Sequence, residues 1–125
     1  MLQEHLAVAT VAVRNLAAAK RFYENTLGLE QLGPQTPGVT VYKCGNSKLF
    51  VYESRFAGTN QATAVTWPVG ADFERVVRDL QANGVQFEHY DLHDMRHEGV
   101  VHVMGEMRAA WFKDPDGNIH SVVNG

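Results

Sequence analysis

Apolar residues gather first in Leu6–Val13, a run rich in Val and Ala that stops at the polar pair Arg14-Asn15 and reads as a strand. Asn15 can cap the segment after it, because its side-chain oxygen can accept from the free N–H groups of a first helical turn. Leu16–Leu27 then predicts a helix, with Ala19, Phe22, Tyr23 and Leu27 on one face. Gly28 ends it. Leu29–Leu32 is a short strand, Gly33–Gly38 a loop, Val39–Lys43 a strand, Gly45-Asn46 a turn and Lys48–Glu53 a strand. Residues 56–61 are polar and read as a linker.

The same order then restarts. Ala62–Val69 predicts a strand, with Pro68 at an edge or a bulge because it lacks an N–H. Asp72 is placed to cap a helix running to about Asn83, in which Phe73, Val76, Val77 and Leu80 form one apolar stripe. Gly84 stops it and Val85–Tyr90 is a strand. Residues 91–106 are polar, lack periodicity and read as a mobile loop. Arg108–Lys113 and Asn118–Val123 are strands around the turn Asp114-Pro115-Asp116-Gly117. Core packing is the default for Tyr42 and Trp111, aromatics on matching strands of the two halves. Thr66, Val69 and Gly84 each lie 56 residues after Thr10, Val13 and Gly28. The chain is thus one domain over 1–125, with a βαβββ module in 1–57 and a second in 58–125. Neither module can cover its own sheet face, so the two pack side by side.

Composition narrows the function. The 125 residues are 45% hydrophobic and 20% charged, enough for a real core. Lys+Arg 11 against Asp+Glu 14 leaves a net charge of −3, which argues against a nucleic-acid surface. The early apolar run is too short to cross a membrane, and residues 1–5 lack the basic start of a secretory signal. A single cysteine, Cys44, excludes an internal disulfide and points to a reducing, cytoplasmic setting. No base partners Cys44 in the sequence, so a nucleophilic role is not expected.

Two βαβββ units, the segment Val13-Arg14-Asn15-Leu16 with Phe22-Tyr23 and Leu27-Gly28-Leu29, and the late run from Trp111 to Asn118 resemble the vicinal oxygen chelate superfamily. That group includes glyoxalase I, bleomycin- and fosfomycin-resistance proteins and extradiol dioxygenases. The resemblance covers nearly the whole chain and implies an α+β fold, with tandem βαβββ modules forming an eight-stranded curled-sheet cup, in a homodimer. It also implies, in the metal-using members, an ion at the cup floor acting as a Lewis acid. Carried over residue by residue, the four ligand positions become Val8, Val51, Ala64 and Ser121. These cannot hold a divalent ion, so no metal and no cofactor is expected.

Strand alternation places Val8, Thr10 and Ala12, then Leu49, Val51 and Glu53, Ala64 and Thr66, and Ile119, Ser121 and Val123 along the cup. This lining suits a small, largely apolar ligand oriented by a few hydroxyls, although a filled core would look the same. Trp67 belongs at the cup wall or a dimer contact. Glu53 is the candidate general base if the apolar neighbours raise its pKa; the plainer reading is a strand end in solvent or a pair with Arg55. His89, His93, His97 and His102 are closely spaced. On a helix His93 and His97 would share a face and chelate Zn or Ni, with Asp94 and Glu98 nearby, but the plainer reading is a loop over the rim from which His102 reaches a ligand. Two functions are therefore expected: a metal-free small-molecule-binding cup, or a lyase, isomerase or dioxygenase using Glu53 or a metal recruited by loop histidines. A purely structural dimer module remains a third.

Overall fold

The computed structural model describes residues 1–125. Strand β1 (Ala9–Val13) leads into helix α1 (Leu16–Lys20), then β2 (Glu30–Gln31), β3 (Val39–Cys44) and β4 (Ser47–Glu53). The second half holds β5 (Thr63–Pro68), α2 (Phe73–Ala82), β6 (Arg96–Glu98), β7 (Val101–Met104), β8 (Met107–Lys113) and β9 (Ile119–Val123). The strands make two open sheets, ordered β1-β4-β3-β2 and β5-β9-β8-β7-β6. In each, the first strand runs parallel to the last and the remaining pairs are antiparallel. This is the expected α+β curled-sheet architecture, with nine strands in place of eight.

The local chemistry explains most of it. Asn15 caps α1 by accepting from the Ala18 N–H at 2.9 Å. The helix widens into a π-helical turn over Arg21–Thr26, so the expected single helix Leu16–Leu27 has two geometries. That widening sends Tyr23 and Phe22 into different cores. Tyr23 packs with Val11, Val13, Tyr42, Leu49 and Val51, while Phe22 packs beside Phe73, Phe112 and Val122. Val65 of β5 joins the first core, so the two halves share apolar cover.

Three local expectations change. Asp72 makes no capping hydrogen bond to α2; its carboxylate pairs with Arg75 at 3.0 Å instead. Val85–Tyr90 is not a regular strand and touches β8 through one bridge, Phe87 to Phe112. Residues 91–106 are not merely a loop: they supply the hairpin β6–β7, which extends the second sheet. Polarity hid β6, an outer edge whose residues are largely solvated, and so hid the pairing that makes the apolar run of β7 a strand.

The turn after β8 does more than reverse the chain. Asp114, only 4% exposed, accepts from the Tyr23 hydroxyl at 2.6 Å and the Asn118 side-chain amide at 2.7 Å through Oδ2. Its Oδ1 accepts from the Asp116 and Asn118 backbone N–H groups at 2.9 and 2.8 Å. Asn118 also donates to the Ala12 carbonyl at 2.8 Å, which ties the two sheets together. Gly58, at φ +77°, lies so close that a Cβ there would run into the Asp116 carbonyl.

His120, fully buried, continues this network. The Trp67 indole N–H donates to Nδ1 at 3.0 Å, so Nδ1 is the lone-pair nitrogen. The Tyr23 hydroxyl proton is committed to Asp114, so His120 Nε2–H donates to the Tyr23 oxygen at 3.1 Å. Burial pushes the imidazole pKa down to about 4 and keeps the ring neutral. The Tyr23 phenol is pushed up, by burial first and then by the Asp114 carboxylate.

Candidate functional site

Alternation along the paired strands separates a helix-covered face from a helix-free one. Val11 pairs with Val51 and Val13 with Glu53, and Val11, Val13 and Val51 are buried with Tyr23 beneath α1. The other face of the first sheet therefore carries Thr10, Ala12, Phe50 and Tyr52, with Val39 and Val41 alongside. On the second sheet, Val65, His120 and Val122 point to the helix side, where Val65 and Val122 join the two cores. Thr66, Ser121, Trp111 and Ala109 line the helix-free side.

This face is apolar, aromatic and open. Phe50 and Trp111 are half-buried, and Tyr52 is 39% exposed. Its polar groups are few and paired: Thr66 and Ser121 hydroxyls lie 2.9 Å apart, and the Trp111 indole donates to Thr63 at 3.2 Å. Tyr90 meets Trp111 edge to face at 5.6 Å, and its hydroxyl is buried without a partner. Burial raises the Tyr90 pKa, Glu88 adds to the rise and Lys113 opposes it. Thr63, Tyr90, Leu92, Trp111 and Ile119 surround a depression of about 240 Å³. A larger cavity of about 630 Å³ opens at the other end of the sheet junction, between the Gly45-Asn46 turn and β5. The second half fills the corresponding end with the Asp114 and Asn118 side chains; the shorter first turn supplies nothing there.

The expected site residues disperse. Thr10, Thr66 and Ser121 lie on the helix-free face as alternation predicts, with Val8 half-buried just before β1. His102 reaches the same face through its pairing with Ala109, but on strand β7 and not on a loop. Val51 does not line the cup, because it is a core residue 1% exposed. The cause is a single residue. Lys43 pairs with Lys48 across the first hairpin, whereas Lys113 pairs with Ile119 across the second. The turn one residue longer flips every side chain beyond it, so the counterpart of Ser121 is Phe50.

Ala64 is also displaced. A bulge between Thr63 and Val65 breaks the alternation, Thr63 takes the helix-free position opposite Ile119, and Ala64 packs on the first core. Trp67 faces the helices and binds His120, while its ring also borders the 630 Å³ cavity. Glu53 sits exposed at the end of β4 beside Arg14, Ser54 and Arg55, not among apolar groups. His93 is 95% exposed and faces Asp94, so the alternative of a His93–His97 helical pair does not form; His97 lies in β6. The residues missed by reading the chain are Phe50, Tyr52, Thr63, Tyr90 and Trp111. Counting turn lengths would have found the first two. Trp111 reads as core from the sequence because an aromatic on a strand usually packs inward.

At the ligand positions that the resemblance implies, register therefore places Val8, Phe50, Thr63 and Ser121. Thr63 and Ser121 offer hydroxyl oxygens, and both are engaged, Thr63 with the Trp111 indole and Ser121 with Thr66.

Comparison with known proteins agrees with this architecture. No curated protein matches the sequence. Among solved structures, a bleomycin-binding protein complexed with bleomycin aligns with TM-score 0.73 at 16% identity, covering 97% of this chain and 98% of that one. The fosfomycin resistance protein FosX from Mesorhizobium loti aligns with TM-score 0.68 at 17% identity, covering 98% and 92%. A lactoylglutathione lyase from Agrobacterium tumefaciens aligns with TM-score 0.67 at 16% identity, covering 95% and 92%. Identities this low speak for the fold alone. No helix is long and apolar enough to cross a membrane. A family profile described as Glyoxalase/Bleomycin resistance protein/Dioxygenase superfamily matches residues 4–121, nearly the full length, and the chain belongs to that superfamily.

Proposed function

We propose that this protein binds a small, largely apolar, aromatic molecule on its helix-free face, without the superfamily's metal, and that a second copy of the chain covers that face. The observation that carries the reading is the face itself. Half-buried Phe50 and Trp111 and the exposed Tyr52 lie on the same helix-free face as the paired hydroxyls of Thr66 and Ser121. Aromatic walls with a few oriented polar groups are the usual chemistry of small-molecule recognition. The side chains Val8, Phe50, Thr63 and Ser121 do not fit a divalent ion, which needs several nitrogen, thiolate or carboxylate donors. Glu53 lies outside the face and takes no part in this reading. Cys44, free and half-buried, suits the reducing cytoplasm.

The test is a thermal-shift panel of aromatic small molecules, with bleomycin among them. At a ligand concentration about 100 times Kd, binding stabilises by about 2.7 kcal/mol, a readily measured rise in Tm. Trp111→Ala is expected to weaken any such ligand at least tenfold. A panel with no hit, or hits indifferent to Trp111→Ala, removes the proposal.

Association is checked separately. Sedimentation velocity should report twice the mass of one chain, and Phe50→Arg should return it to one by placing an unpaired charge in the covered face. A wild-type protein that sediments as a single chain at high concentration rules the dimer out.

A further inference from the structure

The outer edge of the second sheet carries a cluster that the binding face does not use. The segment after the Phe87–Phe112 bridge is extended, and alternate residues His89 and Asp91 lie with His89 Nε2 3.2 Å from Asp91 Oδ1. The β6–β7 hairpin brings His97 against them, with the His89 and His97 rings stacked at 3.9 Å. One donor atom from each of His89, Asp91 and His97 lies within 4.8 Å of the others.

We propose that His89, Asp91 and His97 form a binding site for a divalent first-row transition ion, with zinc as the simplest occupant. Two imidazoles and one carboxylate suit such ions and leave coordination positions for water. Donor atoms around one ion at ~2.0–2.2 Å sit closer together than the present spacing, so the side chains must draw inward. His89 and Asp91 are exposed, on no regular strand, and can do so at little cost.

Two further contacts prepare the site. His97 Nε2 lies 3.0 Å from the Tyr90 carbonyl, which can only accept. The His97 proton is therefore on Nε2, and Nδ1 keeps its lone pair for a metal, in the outer-shell pattern typical of metal-binding histidines. His102, only 1% exposed, supports His97 from below with rings 4.6 Å apart. Its Nε2 accepts the Tyr90 N–H at 3.0 Å, so it holds the strand against the Tyr90 segment and stays outside the donor set. This edge is distinct from Val8, Phe50, Thr63 and Ser121, and its donors are in place whether or not the helix-free face takes an organic ligand.

The experiment is calorimetric titration of the full chain, prepared without a polyhistidine tag, with zinc chloride, together with Co(II) absorption spectra. One ion per chain is expected. His89→Ala, Asp91→Ala and His97→Ala should each weaken binding at least tenfold and abolish the Co(II) bands, whereas His93→Ala should behave as wild type. The first two substitutions lie outside the strands, so their effect is separable from misfolding of β6. Absence of binding in the wild type, binding that survives in a His89→Ala/His97→Ala double variant, or loss of binding in His93→Ala would each overturn the assignment.

Discussion

Asp114→Ala is expected to lower the unfolding free energy by about 3–5 kcal/mol, because buried hydrogen-bond donors lose their shared acceptor. The loss is large because four donors converge on this carboxylate: the Tyr23 hydroxyl, the Asn118 side-chain amide and the backbone N–H groups of Asp116 and Asn118. Alanine leaves all four facing a space that is too buried for easy hydration, and each stranded buried donor costs about 1–3 kcal/mol if nothing relaxes. Against a total stability of about 5–15 kcal/mol, such a change removes a large fraction of the margin. Asp114→Asn keeps the shape and one acceptor but turns the other oxygen into a donor, so it should fall between the two. Urea unfolding of the three proteins measures the order. A loss below about 1 kcal/mol for Asp114→Ala would mean that the turn folds without its anchor, and that the tie between α1 and β9 is incidental.

Acidification should destabilise the protein well before its carboxylates are titrated. His120 is neutral in the fold, with a pKa lowered to about 4 by burial, against an ordinary value of 6.5 when unfolded. Between these values the unfolded chain binds the proton and the folded one does not. Stability therefore rises with pH across this window and falls as pH drops from about 6.5 towards 4. The full difference is about 3 kcal/mol, at roughly 1.4 kcal/mol per pH unit for one site. Below the folded value the ring protonates in both states and this contribution becomes constant. His120→Gln tests the assignment, since a glutamine can accept from Trp67 and donate to Tyr23 without titrating. Unfolding free energies from pH 4.5 to 7.5 should show a shallower slope for the variant by nearly one proton. Equal slopes would place the proton uptake elsewhere.

These two expectations meet in one region that reading the chain describes only partly. Asp114-Pro115-Asp116-Gly117 is legible as a turn, because proline and glycine set local dihedral angles. Its second role is not legible, since Tyr23 and Asp114 are separated by 91 residues and meet only when the two halves pack together. His120 shows the same limit. Alternation correctly sets it opposite Ser121, but nothing in that pattern announces that Trp67 and Tyr23 will hold its two nitrogens.

The candidate binding face was partly legible for a related reason. Thr10, Thr66 and Ser121 follow from the internal repeat and from period-two alternation, and they are where that reasoning puts them. Val51 and Ala64 are not. One extra turn residue and one bulge each shift the count by one, and in a strand a shift of one exchanges inside for outside.

By itself, then, the amino-acid sequence determined the doubled β-α-β pattern, most breaks between its elements, the Asn15 cap and the superfamily. All of these rest on local propensity or on spacing along the chain. The tertiary structure alone decided that Phe50 and not Val51 lies on the helix-free side, that Asp114 anchors Tyr23, and that His89, Asp91 and His97 converge at one edge. Those outcomes depend on register between strands and on contacts across long separations, which side-chain packing selects only once both sheets have formed.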